Sequence, residues 1–344
     1  MENSRRENTK IENLPFGKVF TDHMLVADYA NGKWEKVQIL PYGPITLDPA
    51  AAVFHYGQEI FEGIKAFHHQ DGNDYIFRPD MNWKRFNTSA ERLCMPTVPE
   101  EIFIGGLKKL IEVDKGWIPT MAEHSLYIRP FMIASQAFLG VHPAQEYKFI
   151  IILSPSGPYF AKPAAIRIEK KYTRAAKGGV GFSKNGGNYA SSLKATEEAE
   201  KAGYDQVLWT APNDHKWLQE VGAMNVMFVF KDKVVTPELD GTILAGVTRD
   251  SAVTVLKEMG YTVEERKISV EELVEEHKKG NLTEAFGTGT AATIAPIAKL
   301  GLEDDGLTID FDTEKFEVAK KLKAKLDDIR LGKIPDTHNW LVKI

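Results

Sequence analysis

Lys184 stands in a stretch that holds few large side chains around it, Lys177-Gly178-Gly179-Val180-Gly181-Phe182-Ser183-Lys184-Asn185-Gly186-Gly187-Asn188-Tyr189. Glycine lets backbone come close to a ligand. A lysine held there suits Schiff-base chemistry, phosphate binding or a solvated loop. The stretch is neither a Walker A loop nor a dinucleotide fingerprint. Four further segments carry polar chemistry. Ala245-Gly246-Val247-Thr248-Arg249-Asp250 reads as a glycine turn opening a helix. It is either an anion cradle of free N–H groups or a plain connection with Thr248 as N-cap. Phe286-Gly287-Thr288-Gly289-Thr290-Ala291-Ala292 is small and hydroxylated, which suits backbone approaching an anion. In Ser125-Leu126-Tyr127-Ile128-Arg129-Pro130 a strand puts Tyr127 and Arg129 on one face, where they suit carboxylate recognition or a surface strand. Glu220 sits just before an apolar strand, where a lone carboxylate is ordinarily solvated. Together these groups match what pyridoxal phosphate needs: a lysine for the aldehyde, donors for the phosphate and a group at the pyridine nitrogen.

The elements that must position these residues alternate between strand and helix. Phe149–Leu153, Gln206–Thr210 and Val226–Phe230 are short apolar runs expected as buried strands. Trp83, Phe86, Ala90 and Leu93 share one helical face, and Phe316, Ala319, Leu322, Leu326 and Ile329 share another, ending near Gly332. Ser269 with Glu272 is a capping box opening a helix that Gly280 closes. Ser154 to Pro163 holds three prolines and a glycine and reads as a linker. The expected organisation is a small N-terminal domain, 1–154, a linker, 155–166, and a larger C-terminal domain, 167–344.

The 344 residues carry a net charge of −5, so nothing favours nucleic acid or an anionic membrane as partner. The longest apolar run is far too short to span a bilayer. The polar N-terminus lacks a signal-peptide core. A soluble, cytoplasmic protein is expected. The single cysteine, Cys94, excludes an intrachain disulfide framework and reads as a small buried side chain. His68 and His69 offer no metal-ligand spacing and read as a solvated turn. Glu59 and Glu62 have the helical spacing of a hydrolytic carboxylate pair, but they lie inside the stretch Phe54 to Phe67 and need no such role.

From about Phe16 to the C-terminus the chain closely resembles the branched-chain amino acid aminotransferases of the class IV, fold-type IV pyridoxal-phosphate enzymes. The resemblance lies in Phe54 to Phe67, with its Phe61-Glu62-Gly63, and in Ser125–Pro130, Gly178–Tyr189, Asp205–Trp209, Glu220–Asn225 and Phe286–Ala292. It implies a two-domain α/β (α+β) fold with the cofactor at the domain interface. It implies that Lys184 is the Schiff-base lysine and the base that moves the Cα proton. Tyr189 would bond the cofactor's phenolic oxygen and Glu220 the pyridine nitrogen. Arg85, the backbone of Val247 and Thr248, and the Thr290 hydroxyl would hold the phosphate, with Arg174 also near the cofactor. For substrate, the resemblance assigns Tyr127 and the backbone of Ala291 and Ala292 to the α-carboxylate, and Arg129 to the distal carboxylate of glutamate. Phe61 and Tyr159, with Tyr56 and Leu139 from a partner subunit, would wall the side-chain pocket, implying a homodimer. The implied reaction moves amino groups between L-leucine, L-isoleucine or L-valine and 2-oxoglutarate. Mammalian members carry Cys-x-x-Cys where this chain has Ala292 and Ala295, and some carry a threonine where it has Ala223. D-amino acid aminotransferase and aminodeoxychorismate lyase share the lysine and glutamate, but the Tyr-Ile-Arg strand and Phe-Glu-Gly stretch favour the branched-chain enzyme. A catalytically silent phosphate-binding protein fits poorly with Lys184, Tyr189 and Glu220 all present.

Overall fold

The structure, a computed structural model, describes residues 4–10, 14, 16–121, 123–157, 162–291, 293–302 and 306–344. Contacts divide the chain into two compact units. The first is Met1–Tyr159, Ser183–Gly186 and Ile329–Ile344, and the second is Phe160–Phe182 and Gly187–Asp328.

In the first unit the strands are β1 (His23–Ala30), β2 (Lys33–Trp34), β3 (Gln38–Pro41), β4 (Glu59–Phe61), β5 (Ile64–His68), β6 (Asp74–Phe77), β7 (Ser125–Ala134) and β8 (Tyr147–Ser156). They form one sheet, in the order β6-β5-β7-β8-β1-β2 along its main path, with antiparallel pairing throughout. Strand β8 is central, and its apolar run is buried because β7 and β1 flank it. Helix α1 (Ala52–Tyr56) is short, while α2 (Pro79–Arg92) and α3 (Glu100–Val113) carry the apolar faces that cover the sheet. Phe86 and Phe103 on these helices meet Phe149 of β8 with ring centroids 5.5 and 5.6 Å away. Pro79 starts α2 at a position where its missing N–H costs nothing.

The linker expected at Ser154 to Pro163 falls partly on residues 158–161, outside the described residues. Strand β8 runs on through Ser156, with Pro155 opposite Leu126 of β7. Proline is tolerated there because β1 pairs with β8 only as far as Ile152, so the other flank asks Pro155 for no N–H. The next strand already begins at Ala164. A single cut also misses the C-terminus: Leu341–Lys343 pairs with β6, so the chain's last residues belong with its first.

In the second unit the strands are β9 (Ala164–Ile168), β10 (Gln206–Thr210), β11 (Leu218–Val221), β12 (Asn225–Phe230), β13 (Val234–Thr236), β14 (Val263–Glu265), β15 (Leu282–Gly289), β16 (Thr293–Leu302) and β17 (Leu307–Asp310). Their order is β11-β10-β9-β16-β15-β12-β13-β14, with β17 beside β16. The first part of β16 pairs with β15, and from Ile297 onward it runs parallel to β9. One strand thus joins two ladders. Helices α4 (Gly186–Ala190), α5 (Leu193–Lys201), α6 (Val247–Glu258), α7 (Val270–Lys278) and α8 (Val318–Arg330) complete the chain. Ser269 caps α7 as expected, accepting the Glu272 N–H, while the Glu272 carboxylate turns to Arg266.

Two expectations about surface residues fail. Cys94 is exposed: it follows α2 in the left-handed conformation (φ 54°), which turns its side chain out and sends Met95 into the core. His69 is buried, stacked on Tyr75 and hydrogen-bonded through Nε2 to the Arg330 carbonyl, because the returning C-terminal segment covers it.

Candidate active site

In the first unit the site is built on β4, β7 and α2. Lys184 is anchored by its backbone on both sides: its N–H donates to Ser89 Oγ of α2 at 2.9 Å, and its carbonyl accepts the Phe61 N–H of β4 at 3.0 Å. Its Nζ lies 4.8 Å from the Phe61 ring centroid. Arg129 lies against the same ring, also at 4.8 Å, and donates to the Tyr127 hydroxyl at 3.0 Å. Strand alternation therefore does place phenol and guanidinium side by side. Gly63 is required beside them, because a Cβ there would overlap the Tyr127 hydroxyl.

Arg85 of α2 is held by a carboxylate the sequence did not reveal. Its Nε and Nη2 donate to the two oxygens of Glu62 at 2.7 and 2.8 Å, with Asn82 donating to Glu62 Oε2 at 2.7 Å. Glu62 is fully buried. Burial alone would raise its carboxyl, but the charge and hydrogen bonds of Arg85, supported by the charge of Lys184, outweigh burial and hold it below the ordinary value. Glu59, Phe61 and Glu62 lie along extended chain rather than on a helix, so the proposed Glu59–Glu62 pair does not form as a helical pair. Glu59 instead accepts the Gly186 N–H near Arg129, and burial pushes its carboxyl up. The pairing of residues 62 and 85 was illegible because the fold, not spacing, joins them.

Tyr56 and Leu139 are 41% and 73% exposed, on two segments joined by the Ala51–Ala137 bridge. Tyr159 and Ala292 lie outside the described residues.

In the second unit Glu220 is buried rather than solvated. Arg174 Nε pairs with Glu220 Oε1 at 3.0 Å, and the Leu244 N–H donates to Oε2 at 3.0 Å. Arg174 is itself fixed by donating to the carbonyls of Thr242 and Gly181. It thus acts on the carboxylate. Gly246, not Thr248, caps α6, so Val247 and Thr248 are its first two residues, whose N–H groups have no acceptor within the helix. Gly246 has no room for a Cβ against Asn225 Oδ1, and Asn225 Nδ2 holds the Leu244 carbonyl at 2.9 Å. Asn225 therefore shapes both the Glu220 anchor and the helix start, a role no sequence pattern announced. Thr290 and Ala291 occupy the tight turn leaving β15, both half-buried, and Tyr189 lies on α4, half-buried. The buried Thr288 hydroxyl in β15 has no hydrogen-bond partner among the described residues. Ala223 is exposed in the turn between β11 and β12.

The first unit offers an anchored lysine, a bidentate-held arginine and a phenol–guanidinium pair, and the second offers a helix N-terminus and a buried, arginine-paired carboxylate. Residues 59–300 match the model of the family described as amino-transferase class IV. The chain is 48% identical over 335 residues to branched-chain-amino-acid aminotransferase 2 of Bacillus subtilis strain 168, covering 96% of this chain and 92% of that one. It is 47% identical to a probable branched-chain-amino-acid aminotransferase of Staphylococcus epidermidis, covering 99% and 96%. Among solved structures it resembles the Escherichia coli branched-chain amino acid aminotransferase, with TM-score 0.78, 25% identity, and coverage of 93% of this chain and 98% of that one. A T.th. branched-chain amino acid aminotransferase complexed with N-(5'-phosphopyridoxyl)-L-glutamate matches with TM-score 0.73 and 26% identity, covering 92% and 97%. The chain belongs to the class IV aminotransferases, and within them to the branched-chain-amino-acid aminotransferases.

Proposed function

We propose that this protein reversibly transfers the amino group of L-leucine, L-isoleucine or L-valine to 2-oxoglutarate, giving the branched 2-oxo acid and L-glutamate, with pyridoxal 5'-phosphate as cofactor. The observation that carries the reading is Lys184, anchored at N–H and carbonyl and set against the same aromatic ring as Arg129.

The residues present fit the cofactor. The first N–H groups of α6 and the Arg85 guanidinium, which Glu62 holds in place, are groups of the kind that bind phosphate. Arg85, the backbone of Val247 and Thr248, and the Thr290 hydroxyl would hold the phosphate. Tyr189 would bond the phenolic oxygen, and Glu220, positioned by Arg174, would face the pyridine nitrogen. When bound, the cofactor supplies an electron sink for the charge left at the substrate's Cα. Lys184 Nζ takes the Cα proton and returns it, and its fixed backbone keeps that transfer short. Tyr127, with the backbone of Ala291 and Ala292, would hold the α-carboxylate. Arg129 would take the second carboxylate of glutamate, while Phe61 would give an apolar wall to leucine, a role the resemblance also gives to Tyr159. One pocket then accepts both substrates.

We also propose a homodimer. Phe54, Tyr56, Leu139 and Val141 are 62%, 41%, 73% and 90% exposed on the adjoining α1 and 138–141 segments. Four large apolar groups together mark a contact surface, and a two-fold partner would bring its own Tyr56 and Leu139 to the substrate pocket. No described helix is long and apolar enough to cross a membrane, and the described residues hold no metal-binding cluster. We place the enzyme in the cytoplasm.

Adding L-leucine to the purified holoenzyme should shift the cofactor's visible absorption to shorter wavelength, and Lys184→Ala should abolish turnover while leaving the far-ultraviolet circular dichroism unchanged. A response to D-alanine but not L-leucine would reassign the substrate. Undiminished turnover by Lys184→Ala would refute the role of the lysine.

A further inference from the structure

A cavity of about 370 Å³ lies wholly within the second unit, and none of the residues assigned above lines it. Its wall is apolar, with Trp217, Pro212 and Ile243. Two cations and two anions, Lys177, Lys267, Glu238 and Asp240, contribute to its lining. Lys267 lies 5.5 Å from the Trp217 ring centroid, and Lys177 is only loosely paired with Asp240, at 3.9 Å.

Gln219 also lines the cavity, although it is only 3% exposed. Its orientation is fixed by its neighbour. The Thr242 hydroxyl gives its one proton to Asp240 Oδ1, so it can only accept from Gln219 Nε2, at 3.1 Å. That leaves Gln219 Oε1 buried without a hydrogen-bond partner among the described residues. The oxygen itself lies beneath the cavity wall, so a buried polar atom with no partner sits directly under the polar end of the lining.

We infer that this cavity binds a free apolar α-amino acid. The ligand's ammonium meets Asp240 on the Gln219 side of the cavity, its carboxylate meets Lys177 and Lys267, and its side chain packs on Pro212, Ile243 and the Trp217 indole, which Lys216 also approaches at 5.2 Å. Balanced charges in the lining suit a zwitterion and disfavour a polyanion such as a nucleotide, and the apolar wall disfavours a sugar. Gln219 directly precedes Glu220 in β11, and the Thr242 carbonyl accepts from Arg174, so a bound ligand has a short route to the Glu220 carboxylate. The choice of an amino acid as ligand rests on the aminotransferase reading; the cavity itself does not.

The test uses α-methyl-L-leucine, which has no Cα hydrogen and cannot be turned over. The holoenzyme is titrated while heat and cofactor absorbance are followed together. The expected result is two ligands per chain, one changing the absorbance and one silent. Trp217→Ala and Lys267→Met should each weaken the silent event at least about tenfold, with kcat/KM for L-leucine unchanged. A single event per chain that tracks the absorbance would overturn the inference, as would a silent event undiminished in both variants. A silent event sensitive to both substitutions, with no absorbance change at all, would support the cavity and count against the aminotransferase reading.

Discussion

At the scale of single residues, buried charge is what distinguishes this protein. Glu62 has no solvent contact, and its ionised form is retained because Arg85 meets both its oxygens. A carboxyl held below its ordinary value of 4.5 contributes stability that is complete above that pH and is lost as pH falls through the depressed value. Glu62→Gln should therefore flatten the loss of thermal stability below about pH 4.5, read from the midpoint as a function of pH. It should also weaken cofactor binding, because Arg85 would lose the partner that aims it. Arg129 makes a separable prediction. It touches Phe61 and Tyr127 and faces no second charge from a leucine side chain. Arg129→Ala should cost kcat/KM for L-glutamate at least about tenfold more than for L-leucine, since a charge-assisted hydrogen bond is worth roughly 1.5–3 kcal/mol. Equal losses would count against dual recognition by one pocket.

At the scale of elements, helix starts are fixed by groups distant in sequence. Glu284 of β15 is buried and accepts the N–H groups of Glu317 and Val318 on Oε1 and of Ala319 on Oε2, all within 2.8 Å. One carboxylate thus satisfies three of the donors that open α8, and its charge complements the helix dipole. Glu284→Ala should destabilise the fold by about 1–3 kcal/mol in denaturant unfolding, with little change in kcat. The start of α6 follows another rule. It keeps its first N–H groups without an intrahelical acceptor, and Gly246 with Asn225 shapes its approach, which is what an anion site requires. A capped helix supports the fold; an uncapped one is available for a ligand.

At the scale of the whole molecule, the exposed apolar groups on α1 and the 138–141 segment set the expected assembly. Leu139→Asp together with Val141→Lys should shift the protein to monomer in sedimentation velocity. Both side chains are exposed, at 73% and 90%, so a folded monomer with turnover lost would locate the partner's contribution. A fully active monomer would exclude it.

The sequence by itself determined the local matters. Short apolar runs located β8, β10 and β12, which are covered on both faces, and period-3.6 patterns located α2 and α8, since burying one helix face requires that spacing. Glycines at 178–187 and at 246 marked backbone made for close approach, and the Tyr127–Arg129 spacing set both groups on one face. The tertiary structure decided what long-range packing decides. It paired Arg85 with Glu62, Arg174 with Glu220 and Glu284 with α8, contacts whose partners lie 23, 46 and 33 to 35 residues apart. It ran β8 through Pro155, buried His69 beneath the returning C-terminus and turned Cys94 outward. Hydrophobic periodicity says which face is covered but not what covers it, and a buried charge finds its partner only once two distant segments have been folded against each other.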